Sequence, residues 1–254
     1  MIDSTLLRET EQMFKDRTAL QCPARKELLD FLASSPPEKH RKAEAVYSAM
    51  NTPLVNGHVN LSYELGRYEQ FAQWTGAFFR QHFVHSIYVY ILGLLIYHKT
   101  FSIRDAFQDE SKTRDQQFCY YWAMTALFHD CAYPIDICFN SLARYLEYVL
   151  QADAPKLFRV QDAHALLRHT MIIDTNENRP ILEPGLAMLC RYLVNQQIFA
   201  CTAQRAEQLV CECIERSCEE GKWDHGIWGA LFLLKQWATP GSEVQHRHWM
   251  RIAT

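Results

Sequence analysis

Histidine and aspartate residues stand beside three strongly apolar segments of this 254-residue chain, residues 87–97, 118–128 and 227–234. In chain order these polar residues are His85, His129 with Asp130, and Asp224 with His225. Helices that are apolar on nearly every face lie in the middle of a bundle, and a polar group delivered there needs a partner. Because imidazole nitrogen and carboxylate oxygen together suit divalent first-row ions, the pattern predicts a metal centre.

The adjacent residues His129 and Asp130 can share an ion only at the end of a helix. Neighbouring side chains on a helix point about 100° apart, so both reach one point only where the chain leaves the helix. Pro134, four residues after Asp130, predicts such an end. The 44 residues from His85 to His129 allow one helix, a connection and a second helix that returns to the same end. Asp130 could then bridge two ions or orient a bound water.

Each histidine also has a simpler interpretation. His85 alone could be a core histidine with a satisfied hydrogen bond, and His225 could occupy an exposed first turn of a helix capped by Asp224. His82, three residues before His85, is expected at the rim of the site. Two further histidines in residues 162–169 could supply ligands to a two-metal site.

The surrounding sequence predicts an all-α fold. Nine glycines and nine prolines are few for a chain built from turns and short strands, and no useful run of alternating apolar and polar residues occurs. Residues 174–185, rich in Asn, Pro and Gly, are predicted to form a surface loop. Helices are predicted over residues 65–97 with a break near Gln81 and His82, and over 113–129, 141–151, 186–200, 203–218 and 225–238.

The first 60 residues are predicted to form a separate helical extension. Residues 34–37, Ser-Ser-Pro-Pro, end one of its helices, and the stretch 51–57 separates the extension from the uninterrupted helical pattern that follows. We therefore expect residues 1–60 to pack as a cap on a main domain of residues 61–254.

Composition excludes several classes of protein. With 48% hydrophobic residues and a net charge of −3, the chain is neither disordered nor a highly basic nucleic-acid wrapper. The longest run free of polar residues in its most apolar region, residues 87–97, is too short for a membrane span. Nine cysteines, an odd number, and a start without a secretory signal indicate a reducing, cytoplasmic location. The spacing around Cys211 and Cys213 does not fit a zinc knuckle.

Three fragments in order resemble the HD-domain metal-dependent phosphohydrolases, a family named for an adjacent His-Asp pair. His-Ser-Ile-Tyr-Val at 85–89 resembles the first ligand helix of that family, and Ala-Leu-Phe-His-Asp-Cys-Ala-Tyr-Pro at 126–134 resembles its core. Asp-His-Gly-Ile-Trp-Gly-Ala at 224–230 resembles a later helix start found in several of its branches. The resemblance spans residues 66–237.

This resemblance implies an HD-type helical bundle with an N-terminal helical cap, and it suggests roles for individual residues. His85, His129 and Asp130 would ligate a divalent ion, and Asp130 would also orient the nucleophile. His225 would bind a second ion or a substrate phosphate. The metal would be manganese, iron, cobalt, nickel, zinc or magnesium.

Two departures from the family pattern bear on these expectations. The family commonly has Gly-Lys shortly after the His-Asp pair, whereas this chain continues Cys-Ala-Tyr-Pro-Ile-Asp, which leaves Tyr133 as a hydrogen-bond donor to substrate. The family also completes its site with a later ligand, but no Asp follows His225 here. Either the sequence is a truncated form or His246 or His248 substitutes.

The expected activity is that of a phosphomonoesterase or phosphodiesterase on a small phosphorylated substrate, with a nucleotide as the leading candidate. No strong signature for nucleic-acid binding accompanies it. The alternative is a degenerate or truncated HD domain that senses a nucleotide or binds a partner without turnover. A purely structural helical protein is a third interpretation, which leaves the polar residues beside the apolar segments unexplained.

Overall fold

The computed structural model describes residues 2–16, 22–51, 65–69, 81–106, 114–134, 148–149, 171–174, 181–195, 197, 199–219, 226 and 229–230. Its helices are α1 (Ile2–Asp16), α2 (Arg25–Ala33), α3 (Lys39–Asn51), α4 (His82–Lys99), α5 (Phe101–Ala106), α6 (Arg114–Phe128), α7 (Gly185–Asn195) and α8 (Ala203–Glu219). A 3-10 turn covers Pro36–Glu38, and two strands are β1 (Met171–Asp174) and β2 (Ile181–Pro184). The prediction of an all-α fold is confirmed for this described part of the chain. The chain divides into two compact units, residues 1–128 and 129–254.

The predicted loop over residues 174–185 is wrong in part. β1 pairs with β2 in antiparallel fashion, from Met171 opposite Pro184 to Asp174 opposite Ile181, and α7 begins directly afterwards at Gly185. Each strand has only four residues, which is too short to show an alternating pattern in the sequence. Composition alone does not distinguish such short paired strands from an open loop.

A buried lysine joins three of the N-terminal helices. Lys39 is 6% exposed, and its Nζ lies 3.0 Å from Asp3 Oδ2 and donates to the carbonyl oxygens of Phe31 and Leu32 at the end of α2. Ser34 also caps this end, because its N–H and its hydroxyl donate to Phe31 O at 3.2 and 2.7 Å, and the ammonium group of Lys39 adds a third donor there. Asp3 in turn accepts a hydrogen bond of 2.9 Å from Tyr88 in α4. The first four helices are thus tied together, while the division at residue 60 stays a prediction.

Helix α4 is the most apolar helix and forms the centre of the first unit. Its buried residues occur on most of its circumference, as the apolar pattern of residues 87–97 predicted. Leu92 and Ile96 are the exceptions in this segment among the large aliphatic residues, with exposed fractions of 52% and 46%. The helix ends at Thr100, whose N–H still donates to Ile96 O at 2.9 Å. None of the helices within the described residues has both the length and the apolar character of a bilayer-spanning segment.

Helix α6 packs against α4 through aromatic side chains and one glycine. Trp122 lies so close to Gly93 that a Cβ added there would be 1.9 Å from the indole ring. The indole N–H donates to Tyr90 O at 3.0 Å, so the ring is held in this position by a hydrogen bond as well as by packing. Further along, Tyr97 stacks on Phe118 with ring centroids 3.9 Å apart. The separation of the two helices is therefore fixed at two points.

In the second unit, α7 and α8 pack on each other. Their buried side chains include Leu186 and Cys190 from α7 and Ala206 and Ile214 from α8. Thr202 caps the start of α8, because its Oγ1 accepts the N–H of Arg205 at 3.2 Å. The predicted helix over residues 203–218 is confirmed, whereas the helix predicted over 186–200 ends at Asn195.

Candidate metal centre

His85 lies in the first turn of α4, where the backbone is fixed but the side chain is exposed. Its N–H donates to Gln81 O at 2.7 Å, which is the hydrogen bond that starts the helix. A ligand on a helix is held more precisely than one on a loop, because its Cα position is set by the surrounding backbone hydrogen bonds.

Phe83, two residues earlier, anchors this turn in the core. Its N–H donates to Glu69 Oε2 at 3.1 Å, and its carbonyl accepts a hydrogen bond of 3.3 Å from Tyr47. The Phe83 and Tyr47 rings stack with centroids 4.3 Å apart, and Gly66 lies against the Phe83 ring. The first turn of α4 is thus held by both its backbone and its side chains.

His129 and Asp130 directly follow the end of α6 at Phe128. The chain leaves the helix there in a turn, in which the N–H of Tyr133 donates to Asp130 O at 2.9 Å. This confirms the helix end that Pro134 predicts. In the turn, both side chains point the same way: His129 Nε2 lies 3.1 Å from Asp130 Oδ2. Asp130 is 4% exposed, whereas about a third of the His129 side chain, 33%, is exposed.

Together, His85, His129 and Asp130 each offer one ligand atom, and these atoms all lie within 4.8 Å of one another. Metal–ligand bonds of about 2.0–2.2 Å place the ligand atoms of one ion about 3 to 4 Å apart. The 3.1 Å between the His129 and Asp130 atoms already meets this condition. With all three ligand atoms within 4.8 Å of one another, these residues could hold a divalent ion that accepts nitrogen and oxygen ligands.

The thiol of Cys131, the residue after Asp130, has a raised pKa in this turn. Burial, and next the negative charge of Asp130, raise the pKa of Cys131 to about 12. The thiol contacts the carbonyl oxygen of Gly229 at 3.8 Å. Cys131 therefore stays protonated at neutral pH and does not act as a thiolate ligand.

The sequence therefore predicted the three residues that the structure brings together. Tyr133 is half-buried in the turn after Asp130, and its contact with substrate stays a prediction. His82 was expected at the rim, but it is 5% exposed, and its ring packs edge-on against His85 with centroids 6.3 Å apart. The other histidines considered as ligands, at positions 164, 169, 225, 246 and 248, lie outside the described residues.

Glu69 is the residue of this region that sequence reasoning missed. It is 1% exposed and contacts the first turn of α4, although 14 residues separate it from Phe83. Its sequence neighbours, Arg67 and Tyr68, are polar and give no sign that a carboxylate is buried there. Only the tertiary structure identifies it.

Comparison with known proteins gives no further indication of function: no protein-family model, curated protein or solved structure matches the chain. The resemblance to the HD-domain phosphohydrolases consequently rests on the three sequence fragments. The geometry of His85, His129 and Asp130 is independent of that resemblance. It supports a metal centre on the chemistry of the donor atoms and on their distances.

Proposed function

We propose that the chain is a metal-dependent phosphohydrolase that cleaves a phosphomonoester or phosphodiester bond of a small substrate, a nucleotide above all. The observation that carries the proposal is the convergence of His85, His129 and Asp130 within 4.8 Å. Two imidazoles and one carboxylate form a donor set with a net charge of −1 when both histidines are neutral. A divalent ion bound there keeps a positive charge, which suits a phosphate-bearing substrate.

In this proposal each residue of the centre has its own task. When bound, a divalent ion supplies a water of lowered pKa as nucleophile and stabilises negative charge on the phosphoryl oxygens. His85 and His129 hold the ion through neutral nitrogens. Asp130 would hold the ion with its carboxylate and would also accept a hydrogen bond from the attacking water, which orients that water. Asp130 is 4% exposed, so bulk water competes little for its carboxylate oxygens.

Two more residues complete the proposed substrate site. Tyr133, half-buried after the His-Asp pair, donates a hydrogen bond from its hydroxyl group to a phosphate oxygen. His225 binds a second ion or the substrate phosphate, a role that comes from the sequence resemblance. The Tyr133 N–H donates to Asp130 O at 2.9 Å, so the backbone of the turn holds these two residues close together.

Metal content is the direct test of the centre. We expect purified protein supplied with Mn²⁺ or Zn²⁺ to hold near-stoichiometric metal, measured by mass spectrometry, and the double variant His129→Ala/Asp130→Ala to lose it. The matched control is His98→Ala/Asp16→Ala, which removes another His-Asp pair, 3.6 Å apart, elsewhere in the first unit. Circular dichroism checks that all variants remain helical. Equal metal content in the wild type and the site variant would contradict the proposal.

Turnover is tested with the same proteins. We expect hydrolysis of nucleotide phosphomonoesters or phosphodiesters that EDTA abolishes, that Mn²⁺ restores and that Asp130→Asn loses. Full activity of Asp130→Asn would exclude the proposed mechanism. A nucleotide that raises the melting temperature without product formation would instead indicate a binding module, because a ligand that binds only the native state stabilises it.

A further inference from the structure

The helix that carries His85 lacks a local cap at its start. The first N–H groups of a helix have no partner within it, and the residue before α4, Gln81, makes no capping hydrogen bond with its side chain. Glu69, far away in the sequence, supplies the acceptor: its Oε2 accepts the N–H of Phe83 at 3.1 Å. A carboxylate therefore occupies the position that a capping side chain usually takes.

This carboxylate is buried and is hydrogen-bonded to the helical turn that carries His85. Glu69 is 1% exposed, so solvent would screen a negative charge on it much less than on a surface carboxylate. Phe83, which it contacts, precedes His85 by two residues, or roughly 3 Å along the helix axis. The N-terminal end of a helix carries a partial positive charge that favours a negative group at this position.

We infer that Glu69 is a positioning residue that strengthens divalent-cation binding at His85 through its negative charge; this inference rests on the proposed metal-dependent function. Two imidazoles and one carboxylate only partly neutralise a divalent ion, and Glu69 adds a second negative charge without being a ligand. Its hydrogen bond to the N–H of Phe83 keeps that charge beside the turn that bears His85. Groups that hydrogen-bond directly to metal ligands typically change metal affinity by about 10- to 100-fold, and for Glu69, which contacts the backbone of the same turn, we expect the lower end of that range.

The charge and the hydrogen bond can be separated by substitution. Glu69→Gln keeps an acceptor oxygen for the Phe83 N–H but removes the charge, and Glu69→Asp keeps the charge on a shorter side chain. We expect Glu69→Gln to raise the Kd for Mn²⁺ by about tenfold, measured from the free-ion signal in electron paramagnetic resonance. We expect Glu69→Asp to stay closer to the wild type than the Gln variant does. Hydrogen exchange at the Phe83 amide reports whether the cap persists.

Two tyrosines that form hydrogen bonds at opposite ends of α4 provide matched controls: Tyr47, from α3, and Tyr97, from α4 itself. Tyr47→Phe removes the 3.3 Å hydrogen bond to Phe83 O, which loosens the same turn without changing any charge. Tyr97→Phe removes a 2.8 Å hydrogen bond to Asp115 near the other end of α4. We expect both variants to bind Mn²⁺ with wild-type affinity. Circular dichroism and thermal unfolding identify any variant that does not fold.

The outcomes distinguish this inference from the proposed function. If the wild type binds no Mn²⁺, the proposed function fails and the inference fails with it. If the wild type binds Mn²⁺ and folded Glu69→Gln binds equally well, only the inference is overturned. An equal loss in Tyr47→Phe overturns it too, because loosening of the turn would then be sufficient. If Glu69→Gln does not fold, Glu69→Asp is the deciding variant. Near-wild-type Mn²⁺ affinity of Glu69→Asp supports the role of the negative charge, and a tenfold loss of affinity rejects that role.

Discussion

The contact between Gly93 and Trp122 predicts that Gly93→Ala destabilises the protein, although the same change usually stabilises a helix. Alanine is favoured over glycine in a helix interior by about 1 kcal/mol. At this position, however, its Cβ would lie 1.9 Å from Cε2 of the indole. Carbon atoms in contact are about 3.5 Å apart, so the ring or the whole of α6 must move by more than an ångström.

The size of the clash decides the direction of the change. Overpacking by a single group in a well-packed core costs about 1 to 3 kcal/mol, and the hydrogen bond from the indole N–H to Tyr90 O opposes reorientation of the ring. We therefore take about 3 kcal/mol for the clash and subtract about 1 kcal/mol for the helix preference of alanine. The net loss is about 2 kcal/mol, or a decrease in Tm of about 4 to 8 °C for a chain of this size.

Thermal unfolding of four proteins tests this reasoning: the wild type, Gly93→Ala, Trp122→Ala and the double variant. Without the indole ring, alanine at position 93 has room, so the double variant should be at least as stable as Trp122→Ala. A Tm for Gly93→Ala equal to or above that of the wild type would refute the close approach of the two helices. Metal affinity should fall along with stability, because α6 leads directly into His129.

Two further predictions follow from pKa shifts. Burial raises the pKa of Asp3, but hydrogen bonds from Lys39 and Tyr88 outweigh it and leave the pKa below the usual value of 3.8. Stability from ionised Asp3 is therefore present above about pH 4 and lost as pH falls through the lowered pKa. The Tm advantage of the wild type over Asp3→Asn should consequently be smaller at pH 3 than at neutral pH. A Tm difference that does not change with pH would contradict this prediction. Burial keeps the Cys131 thiol protonated, so iodoacetamide at pH 8 should label the exposed Cys213 well before it labels Cys131. Peptide-resolved mass spectrometry measures both rates, and equal labelling of the two cysteines would contradict the burial of Cys131.

The sequence predicted the helices of the site because their signals are local. Residues 87–97 and 118–128 are apolar on nearly every face, and each lies within an observed helix. Ser34 and the prolines after it end α2 at Ala33, as expected. His129 and Asp130 were recognised because a polar pair beside an apolar helix needs a partner. Patterns confined to a few neighbouring residues were therefore enough for the helices and for the donor atoms.

Features that depend on distant contacts could not be predicted. Lys39 lies in a helix with a charged first half, where a lysine is normally exposed, but Asp3 and the end of α2 bury it. His82 is buried because of how α4 packs, which its place at the start of the helix does not reveal. Glu69 reaches its partner Phe83 only in the folded chain.

The three donors of the candidate centre differ in exposure, and this difference bears on how an ion would enter and leave. His85 is exposed, His129 is intermediate and Asp130 is buried. An ion held by them is most accessible on the His85 side, so the His85 bond is the first that a competing chelator displaces and Asp130 is the last to release. Removal of the ion should consequently proceed through a ternary complex, at a rate that rises with chelator concentration and is faster for small chelators than for bulky ones.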